Sequence, residues 1–268
     1  YTEIVDIVNT YSNAMKAVDP TIKVGVSWKK NQAQKLINEC GDALDFYVIS
    51  NYTDAGGKSY SDYANGTHVD LLKVNNNLSL KTVISEFNRS DWTKSTWDTA
   101  NNTGKGLINF DLIGQILESP KTEYGCFWNT RWFPDEDGVY SGTKWDAFDN
   151  QNNLRAVAKP FILWKKFLGD DLVEITSGDG SIVPYATRDG SKLNVILINK
   201  ATSGHSVTVN LPNCSYHSSE VWQYKGADQW DTDPTIGKVD GTSVSNNMIR
   251  YELPSTSITV FSLSNGAK

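Results

Sequence analysis

The sequence predicts two architectures in one chain, an α/β unit with a parallel sheet followed by an all-β unit. Up to Leu168, short β-branched runs alternate with stretches whose apolar residues recur at helical spacing, which is typical of a parallel sheet with covering helices. From about Leu172 the chain consists of short alternating runs separated by turn residues, and no helical stripe remains. We therefore place a boundary at Gly169–Asp171, with an α/β domain over residues 1–169 and a β-sandwich over residues 170–268.

Strand and helix patterns alternate through the first domain. Residues 1–18 carry apolar side chains at helical spacing, with Glu3 near the start and Lys16 near the end as the helix dipole prefers, and Asp19–Pro20 ends this helix. Strands that alternate with helices pair in parallel. The further predicted elements are strands at Ile22–Trp28, Leu44–Ser50, Lys81–Phe87 and Tyr124–Trp128, and helices at Gln32–Cys40, Leu107–Glu118 and Asn152–Leu168; a long polar stretch covers Asn51–Ser79.

The second domain contains only strand patterns. Turn dipeptides such as Asp189–Gly190 and Asp240–Gly241 separate them, as in antiparallel β-sandwiches. The predicted strands are Val173–Ile175, Ile182–Ala186, Leu193–Asn199, Ser206–Leu211, Ser219–Tyr224, Ile249–Glu252 and Ile258–Leu263.

Charge and hydropathy exclude two classes of partner. The net charge is −6 and no basic stripe is present, so the chain lacks what a nucleic-acid partner requires. No run approaches the roughly 18 apolar residues of a membrane span, so no membrane partner is predicted.

The potential metal ligands do not form a recognisable site. Cys40, Cys126 and Cys214 lack the spacing of a zinc site or a disulfide framework. The acidic turn Asp135–Gly138 has ligands suited to Ca²⁺, but carboxylates on such a turn are more often solvated. We therefore predict no metal and no cofactor.

The stretch Lys81–Phe87 ends with a glutamate that packing does not explain. Strand alternation predicts Thr82, Ile84 and Glu86 on one face of the sheet. The C-terminal end of a barrel strand is where catalytic groups lie, because the strand fixes the side chain and the next loop builds the pocket. A strand-end glutamate at the solvent boundary is the alternative interpretation.

The other predicted strands also end in polar or aromatic side chains. Parallel strands bring their C-terminal ends to one edge, so these groups should converge around Glu86. The chain has 9 tryptophans and 12 tyrosines, and flat rings in a cleft suit stacking on sugar rings, although many will be core aromatics. The predicted sugar-binding residues are Trp28, Asn51, Asn88, Trp128, Asn129, Arg131 and Trp132, with Tyr52 beside Glu86.

With an Asn51–Tyr52 strand end, a Ser85–Glu86–Phe87 strand end, a Phe127–Trp128 strand end and a following sandwich, the sequence resembles retaining glycoside hydrolases of the (β/α)8 superfamily called clan A. The α-L-arabinofuranosidases and the β-agarase or porphyranase type are the groups that it resembles most. The resemblance implies that residues 1–169 are strands five to eight of a TIM barrel, the C-terminal half, and that residues 170–268 are an appended sandwich. It also implies secretion to an extracellular or periplasmic location.

The same resemblance implies residue roles. Glu86 matches the nucleophile of a double-displacement mechanism on a plant or algal polysaccharide, and Tyr52 matches the tyrosine that hydrogen-bonds it. Trp128 matches the indole at the floor of the subsite, often beside a non-proline cis peptide. Asn51 stands where many relatives have histidine, which leaves the family open.

The acid/base glutamate of such enzymes belongs to an Asn-Glu pair that ends strand four, just before the helix that here starts at Tyr1; Glu39 is on a predicted helix and does not fit this role. The resemblance thus implies an N-terminal barrel half, as a separate chain or cleaved segment, that supplies this residue. The alternatives are a non-catalytic carbohydrate-binding protein and a purely structural fragment.

Overall fold

The computed structural model describes residues 1–52, 59–65, 70–89, 101–131, 145–211 and 216–265. Within these ranges the chain forms a mixed α/β fold with one parallel sheet and two antiparallel sheets. No helix in the described part is long and apolar enough to cross a membrane. Trp132, Cys214 and the acidic turn at Asp135–Gly138 lie outside the described residues.

The first part of the chain folds around a parallel sheet. Its four strands pair in the order β1-β2-β3-β4, so each strand follows its neighbour in sequence. The elements are α1 (Thr2–Val18), β1 (Gly25–Ser27), α2 (Ala33–Cys40), β2 (Phe46–Asn51), α3 (Tyr60–Asn65), α4 (Lys73–Asn76), β3 (Lys81–Phe87), α5 (Thr103–Glu118), β4 (Thr122–Phe127) and α6 (Phe161–Phe167).

The second part forms a six-stranded antiparallel sheet, in the order β10-β9-β12-β7-β6-β5, and a two-stranded sheet of β8 and β11. An apolar cluster that includes Val195, Phe261 and Ile249 fills the space between the two sheets. The strands are β5 (Asp171–Leu172), β6 (Ile182–Asp189), β7 (Lys192–Asn199), β8 (His205–Asn210), β9 (Tyr216–Lys225), β10 (Thr235–Val239), β11 (Met248–Leu253) and β12 (Ser257–Asn265).

Helix α5 lies in the centre of the molecule and is buried on almost all sides. One side packs on Ile84 and Phe87 of β3, and the other packs on the six-stranded sheet, so one core cluster runs through both. Asn102 caps the helix, since its side chain accepts a hydrogen bond of 3.0 Å from the Lys105 backbone N–H. The central position of α5 explains why side chains on nearly all of its faces are buried, among them the polar Lys105, Asn109, Asp111 and Gln115.

Tyrosines of the six-stranded sheet approach the backbone of α5 closely. A Cβ atom added at Gly114 would lie 2.3 Å from the Tyr185 ring, so only glycine allows this contact. The Tyr185 hydroxyl continues past the helix backbone and donates to Asp111 Oδ1 at 2.5 Å. Helix and sheet are therefore joined by close packing and by a buried hydrogen bond.

The first two helices cover a separate core on β1 and β2. The inner face of α1 buries Val8 and Ser12, and the Ser12 hydroxyl donates to the Ala43 carbonyl at 2.7 Å. Helix α2 buries Leu36 and Ile37 against the same strands.

The structure corrects several sequence expectations. The helix predicted at Asn152–Leu168 begins only at Phe161, because Pro160 lacks an N–H for an upstream helical turn and restricts the residue before it. Asn152 itself has a positive φ of 65°. The polar stretch predicted at Asn51–Ser79 contains α3 and α4, and β10 lacks any prediction at all.

Candidate functional site

The ends of β2, β3 and β4 meet at one edge of the parallel sheet, as parallel pairing requires. The Trp128 N–H donates to the Phe87 carbonyl at 2.9 Å, and the Asn88 N–H donates to the Asn51 carbonyl at 3.2 Å. These two backbone bonds keep the three strand ends in register immediately beside Glu86.

A β-bulge determines which way Glu86 faces. Ile49 of β2 pairs with Ile84, but the next residue, Ser50, pairs with Glu86, so Ser85 is an extra residue in β3. Ile84 and Phe87 consequently share the face that packs on α5, and Glu86 lies on the opposite face. The predicted alternation, with Ile84 and Glu86 on one face, is wrong for this physical reason.

Tyr52, the residue after β2, donates its phenolic hydrogen to Glu86 Oε2 at 2.6 Å. Burial raises the pKa of Tyr52, and the hydrogen bond to Glu86 and its negative charge raise it further. The phenol therefore stays protonated and remains a donor at neutral pH. One carboxylate oxygen is held by this bond.

Indole rings stand next to this pair. The Trp128 ring meets the Tyr52 ring edge-on, with centroids 6.2 Å apart and planes at 85°. The Trp145 ring also contacts the Trp128 ring, at a centroid distance of 6.1 Å and a tilt of 36°. The peptide bond between Trp128 and Asn129 is cis. Half-buried Trp128 thus offers ring surface beside Glu86.

Asn88 positions the two tryptophans. Its side-chain NH₂ donates to the carbonyls of Trp128 and Trp145, each at 2.8 Å. Its side-chain oxygen accepts from Asn109 Nδ2 of α5 at 3.1 Å, and Asn109 Oδ1 accepts from the Arg89 N–H at 2.8 Å. Asn88 is fully buried, so it supports the aromatic residues from behind.

Two predicted sugar contacts occupy different surroundings. Asn51 is buried, and its side chain donates to the Leu71 carbonyl at 2.9 Å. Trp28 packs against the core under α2 and donates to Gln32 Oε1 at 3.0 Å. Asn51 and Asn88 are thus buried and hydrogen-bonded within the protein, whereas Trp28 is half-buried; direct contact of these three residues with sugar stays a prediction.

The remaining predicted residues follow β4. The backbone carbonyl of Asn129 accepts a hydrogen bond of 3.0 Å from the Ala147 N–H. The buried side-chain oxygen of Asn129 has no hydrogen-bond partner among the described residues. Arg131 is exposed and donates to Asn152 Oδ1 at 3.2 Å. Trp132 lies outside the described residues.

Sequence reasoning missed Trp145 and Asn109. Trp145 lies 57 residues from Asn88, and no strand pattern precedes it. Asn109 did carry a signal, since an amide between Ile108 and Phe110 in a helix rich in apolar residues needs a hydrogen-bond partner once it is buried. In the described part of the chain, no group of three or more histidine, cysteine or carboxylate side chains could hold a metal ion.

No protein-family model and no curated protein matches the chain. Solved structures do resemble it. An α-L-arabinofuranosidase from Thermotoga maritima, in complex with arabinose, has a TM-score of 0.76 at 14% identity. The match covers 98% of this chain and 62% of the arabinofuranosidase chain. Another arabinofuranosidase structure has a TM-score of 0.72 at 15% identity, and the match covers 97% of this chain and 62% of that chain.

A xyloglucanase of glycoside hydrolase family 44 from Paenibacillus polymyxa, with xyloglucan, has a TM-score of 0.63 at 16% identity, with 99% and 61% covered. The chain thus spans less than two thirds of the length of these enzymes. At such identities the likeness shows a shared fold alone: the fold of this chain matches part of the fold of each of these enzymes.

Proposed function

We propose that this chain belongs to a retaining glycoside hydrolase that acts on a plant or algal polysaccharide, or its oligosaccharides, by double displacement. The observation that carries the proposal is the Tyr52 hydrogen bond to Glu86 at 2.6 Å, at the end of a parallel strand and beside Trp128. The fold shared with arabinofuranosidases and a xyloglucanase supports it.

In the proposed first step, Glu86 attacks the anomeric carbon of the sugar. The bond to the leaving-group oxygen breaks as a second carboxylic acid, about 5–5.5 Å away, gives that oxygen its proton. A glycosyl ester of Glu86 results. Water, deprotonated by the same second carboxylate, then attacks the anomeric carbon and releases Glu86.

Tyr52 has a positioning role in this scheme. Its hydrogen bond fixes the Glu86 side chain through one carboxylate oxygen, while the other oxygen is left to attack. Trp128 supplies an apolar face for the sugar ring, and Asn88 holds Trp128 and Trp145 in place.

We further propose that β1 to β4 are strands five to eight of a (β/α)8 barrel and that residues 170–268 form the β-sandwich appended to it. The strand order and the alternation with helices support the first point. The apolar cluster between the six-stranded and two-stranded sheets supports the second.

A further polypeptide, either a separate chain or a cleaved segment, would then complete the barrel and supply the acid/base glutamate. Among the described strands, β1 pairs only with β2 and β4 only with β3, so each has an open edge. Helix α1 also exposes apolar side chains on its outer face, among them Tyr11 and Val18. Such a polysaccharide-degrading enzyme would act outside the cytoplasm, in an extracellular or periplasmic location.

Replacement of Glu86 tests the nucleophile. In the complete enzyme, Glu86→Ala should abolish turnover of an aryl glycoside, and added azide should restore part of it by attacking the anomeric carbon in place of the carboxylate. The rescued product should be a glycosyl azide of inverted configuration, detectable by NMR. Glu123→Ala, at an exposed glutamate on β4, is the matched control and should keep wild-type activity. A Glu86→Ala enzyme with most of its kcat would refute the assignment.

Reconstitution tests the second polypeptide. The 268-residue chain alone should be inactive on arabinan and xylan, and activity should appear with the completing segment present. A monodisperse chain of this length that hydrolyses glycosides unaided would contradict the proposal.

A further inference from the structure

A cavity of about 490 Å³ lies between α3 and the loops of the six-stranded sheet. It shares no lining residue with the site around Glu86. One wall comes from α3, with Tyr60 and Asn65, and the other from the loops that carry Ser203, Gln229 and Trp230. Its volume is within the range of pockets that bind small molecules or single sugar units.

The wall that carries Trp230 is firmly attached to α5. The backbone carbonyl of Gln229 accepts the Gly104 N–H at 3.0 Å, and the backbone carbonyl of Asp231 accepts the Thr103 N–H at 2.8 Å. Two N–H groups of the first helical turn, which have no partner within the helix, therefore bind this loop. The backbone N–H of Trp230 donates to Asp228 Oδ1 at 2.8 Å. The indole is therefore presented by a fixed loop.

The opposite wall is also fixed. Tyr60 is buried, and its hydroxyl donates to the Lys200 carbonyl at 2.7 Å, which ties α3 to the end of β7. Both walls are held by hydrogen bonds between the helical layer and the six-stranded sheet, so the cavity is preformed.

The lining identifies the chemical class of the ligand. Trp230 is 46% exposed, although it is one of the largest apolar side chains of the chain. The other described lining side chains are hydroxyls, amides and small apolar groups, and none of them is charged. A flat ring with neutral donors and acceptors around it fits a neutral polyol with an apolar face, which is a sugar ring.

We propose that this cavity is a second carbohydrate-binding site, with Trp230 stacking on one neutral sugar unit of a polysaccharide chain. The proposal rests on the proposed function for the identity of its ligand. It differs from that function in the residues used, because binding at Trp230 needs neither Glu86 nor the acid/base glutamate. Its role would be to hold a long substrate while the chain is cut elsewhere.

The direct test is NMR of the ¹⁵N-labelled tryptophan indoles in the 268-residue chain. Xylohexaose, arabinohexaose and cellohexaose are titrated separately, at up to millimolar concentration, into wild type and Trp128→Ala. We expect at least one probe to shift the Trp230 indole signal in both proteins, with the same dissociation constant. The signal is assigned by its loss in Trp230→Phe.

Calorimetry of the Trp128→Ala background supplies the second measurement. Adding Trp230→Ala should weaken binding of that probe by about tenfold or more, a change of about 1.4 kcal/mol. Tyr11→Ala, at an exposed aromatic residue of α1, should leave it unchanged. If Trp230→Ala does not fold, Asn65→Ala on the opposite wall takes its place, with the same expected direction.

The proposal is overturned if no probe moves the Trp230 signal, or if binding is lost entirely in Trp128→Ala. Neither result affects the proposed nucleophile, which is tested by turnover of Glu86→Ala. Conversely, full activity of Glu86→Ala would remove the proposed function while oligosaccharide binding at Trp230 could still be measured.

Discussion

Tyr52 and Glu86 define the proposed chemistry at the scale of single residues. The Tyr52 phenol donates a hydrogen bond to the Glu86 carboxylate. Hydrogen bonds to charged groups contribute about 1.5–3 kcal/mol to folding stability. Tyr52→Phe removes only the hydroxyl and keeps the ring that meets Trp128. We expect kcat/KM to fall by roughly 10- to 100-fold, while circular dichroism shows an intact fold whose stability falls by no more than the loss of this one hydrogen bond explains.

The pH dependence of wild-type activity and a matched variant both check the role of Tyr52. Because the pKa of Tyr52 is raised above its ordinary value of 10.0, wild type should lose no activity through Tyr52 ionisation up to about pH 10. Tyr11→Phe, at an exposed phenol on α1, should leave kcat/KM unchanged. A Tyr52→Phe enzyme as active as wild type would show that the bond does not orient the nucleophile.

Asn88 supports the site from within the core. Asn88→Ala removes the Asn88 donor from the buried Trp145 carbonyl and from the partly buried Trp128 carbonyl, and an unsatisfied buried group costs about 1–3 kcal/mol. We expect the free energy of unfolding in urea to fall by about 2–4 kcal/mol, together with a lower kcat. Asn210→Ala, at an exposed asparagine on β8, should change neither. Full stability of Asn88→Ala would mean that the carbonyls find other donors.

What the sequence could predict at this scale depended on strand ends. The positions of Glu86, Tyr52 and Trp128 follow from parallel pairing, which brings strand ends together. The surroundings of Asn51 and Asn88 did not follow, because satisfaction of a distant buried carbonyl leaves no mark in a local pattern. The same applies to Trp145, which reaches the site from a region without strand periodicity.

At the scale of elements, α5 and the six-stranded sheet are fitted to each other through glycine. Gly114→Ala places a methyl group 2.3 Å from the Tyr185 ring, which is far inside van der Waals contact. Overpacking of this kind typically destabilises by about 1–3 kcal/mol, against a gain of about 1 kcal/mol from helix propensity. We expect a net loss of stability in urea unfolding. Gly178→Ala, where the added atom meets nothing within 4 Å, should be nearly neutral.

Helices and strands differed in how well the sequence predicted them. Strong periodicity predicted α1, α2, α5 and the parallel strands to within a few residues. The helix at Asn152–Leu168 was overextended because apolar spacing alone does not register the effect of Pro160. The bulge at Ser85 is also not visible in the sequence, since β-branched neighbours suit a regular strand equally well.

At the scale of the whole molecule, the described parallel sheet, central helix and six-stranded sheet share one continuous core cluster. The domain boundary proposed near residue 170 therefore separates two architectures that are packed together through α5. We expect a single unfolding transition, with the same midpoint by far-ultraviolet circular dichroism and by tryptophan fluorescence. Two separated midpoints would show that residues 1–169 and 170–268 unfold independently.

Alkaline pH tests this shared core specifically. Tyr63, Tyr185 and Tyr224 lie between α3, α5 and the six-stranded sheet, and burial raises the pKa of each well above 10.0. Their folded pKa values exceed the unfolded ones, so the stability they contribute is fully present below about pH 10 and is lost as pH rises further.

Each such tyrosine should steepen the loss of stability by about 1.4 kcal/mol per pH unit above the unfolded pKa. Lys200, whose pKa burial lowers, acts in the opposite direction, but only below its ordinary value of 10.5. Urea unfolding at a series of pH values above 10 should therefore show a steep decline in wild type.

Tyr224→Phe should lower stability at neutral pH, because the Tyr224 hydroxyl donates to the Ala156 carbonyl at 2.9 Å. Above about pH 10 the same variant should lose stability less steeply than wild type, because one ionisable phenol fewer contributes to the slope. Tyr11→Phe, at an exposed phenol, should leave the slope unchanged. If Tyr224→Phe and wild type decline in parallel, the Tyr224 phenol must already ionise in the folded protein, and the packing of the six-stranded sheet on α5 must be open to solvent.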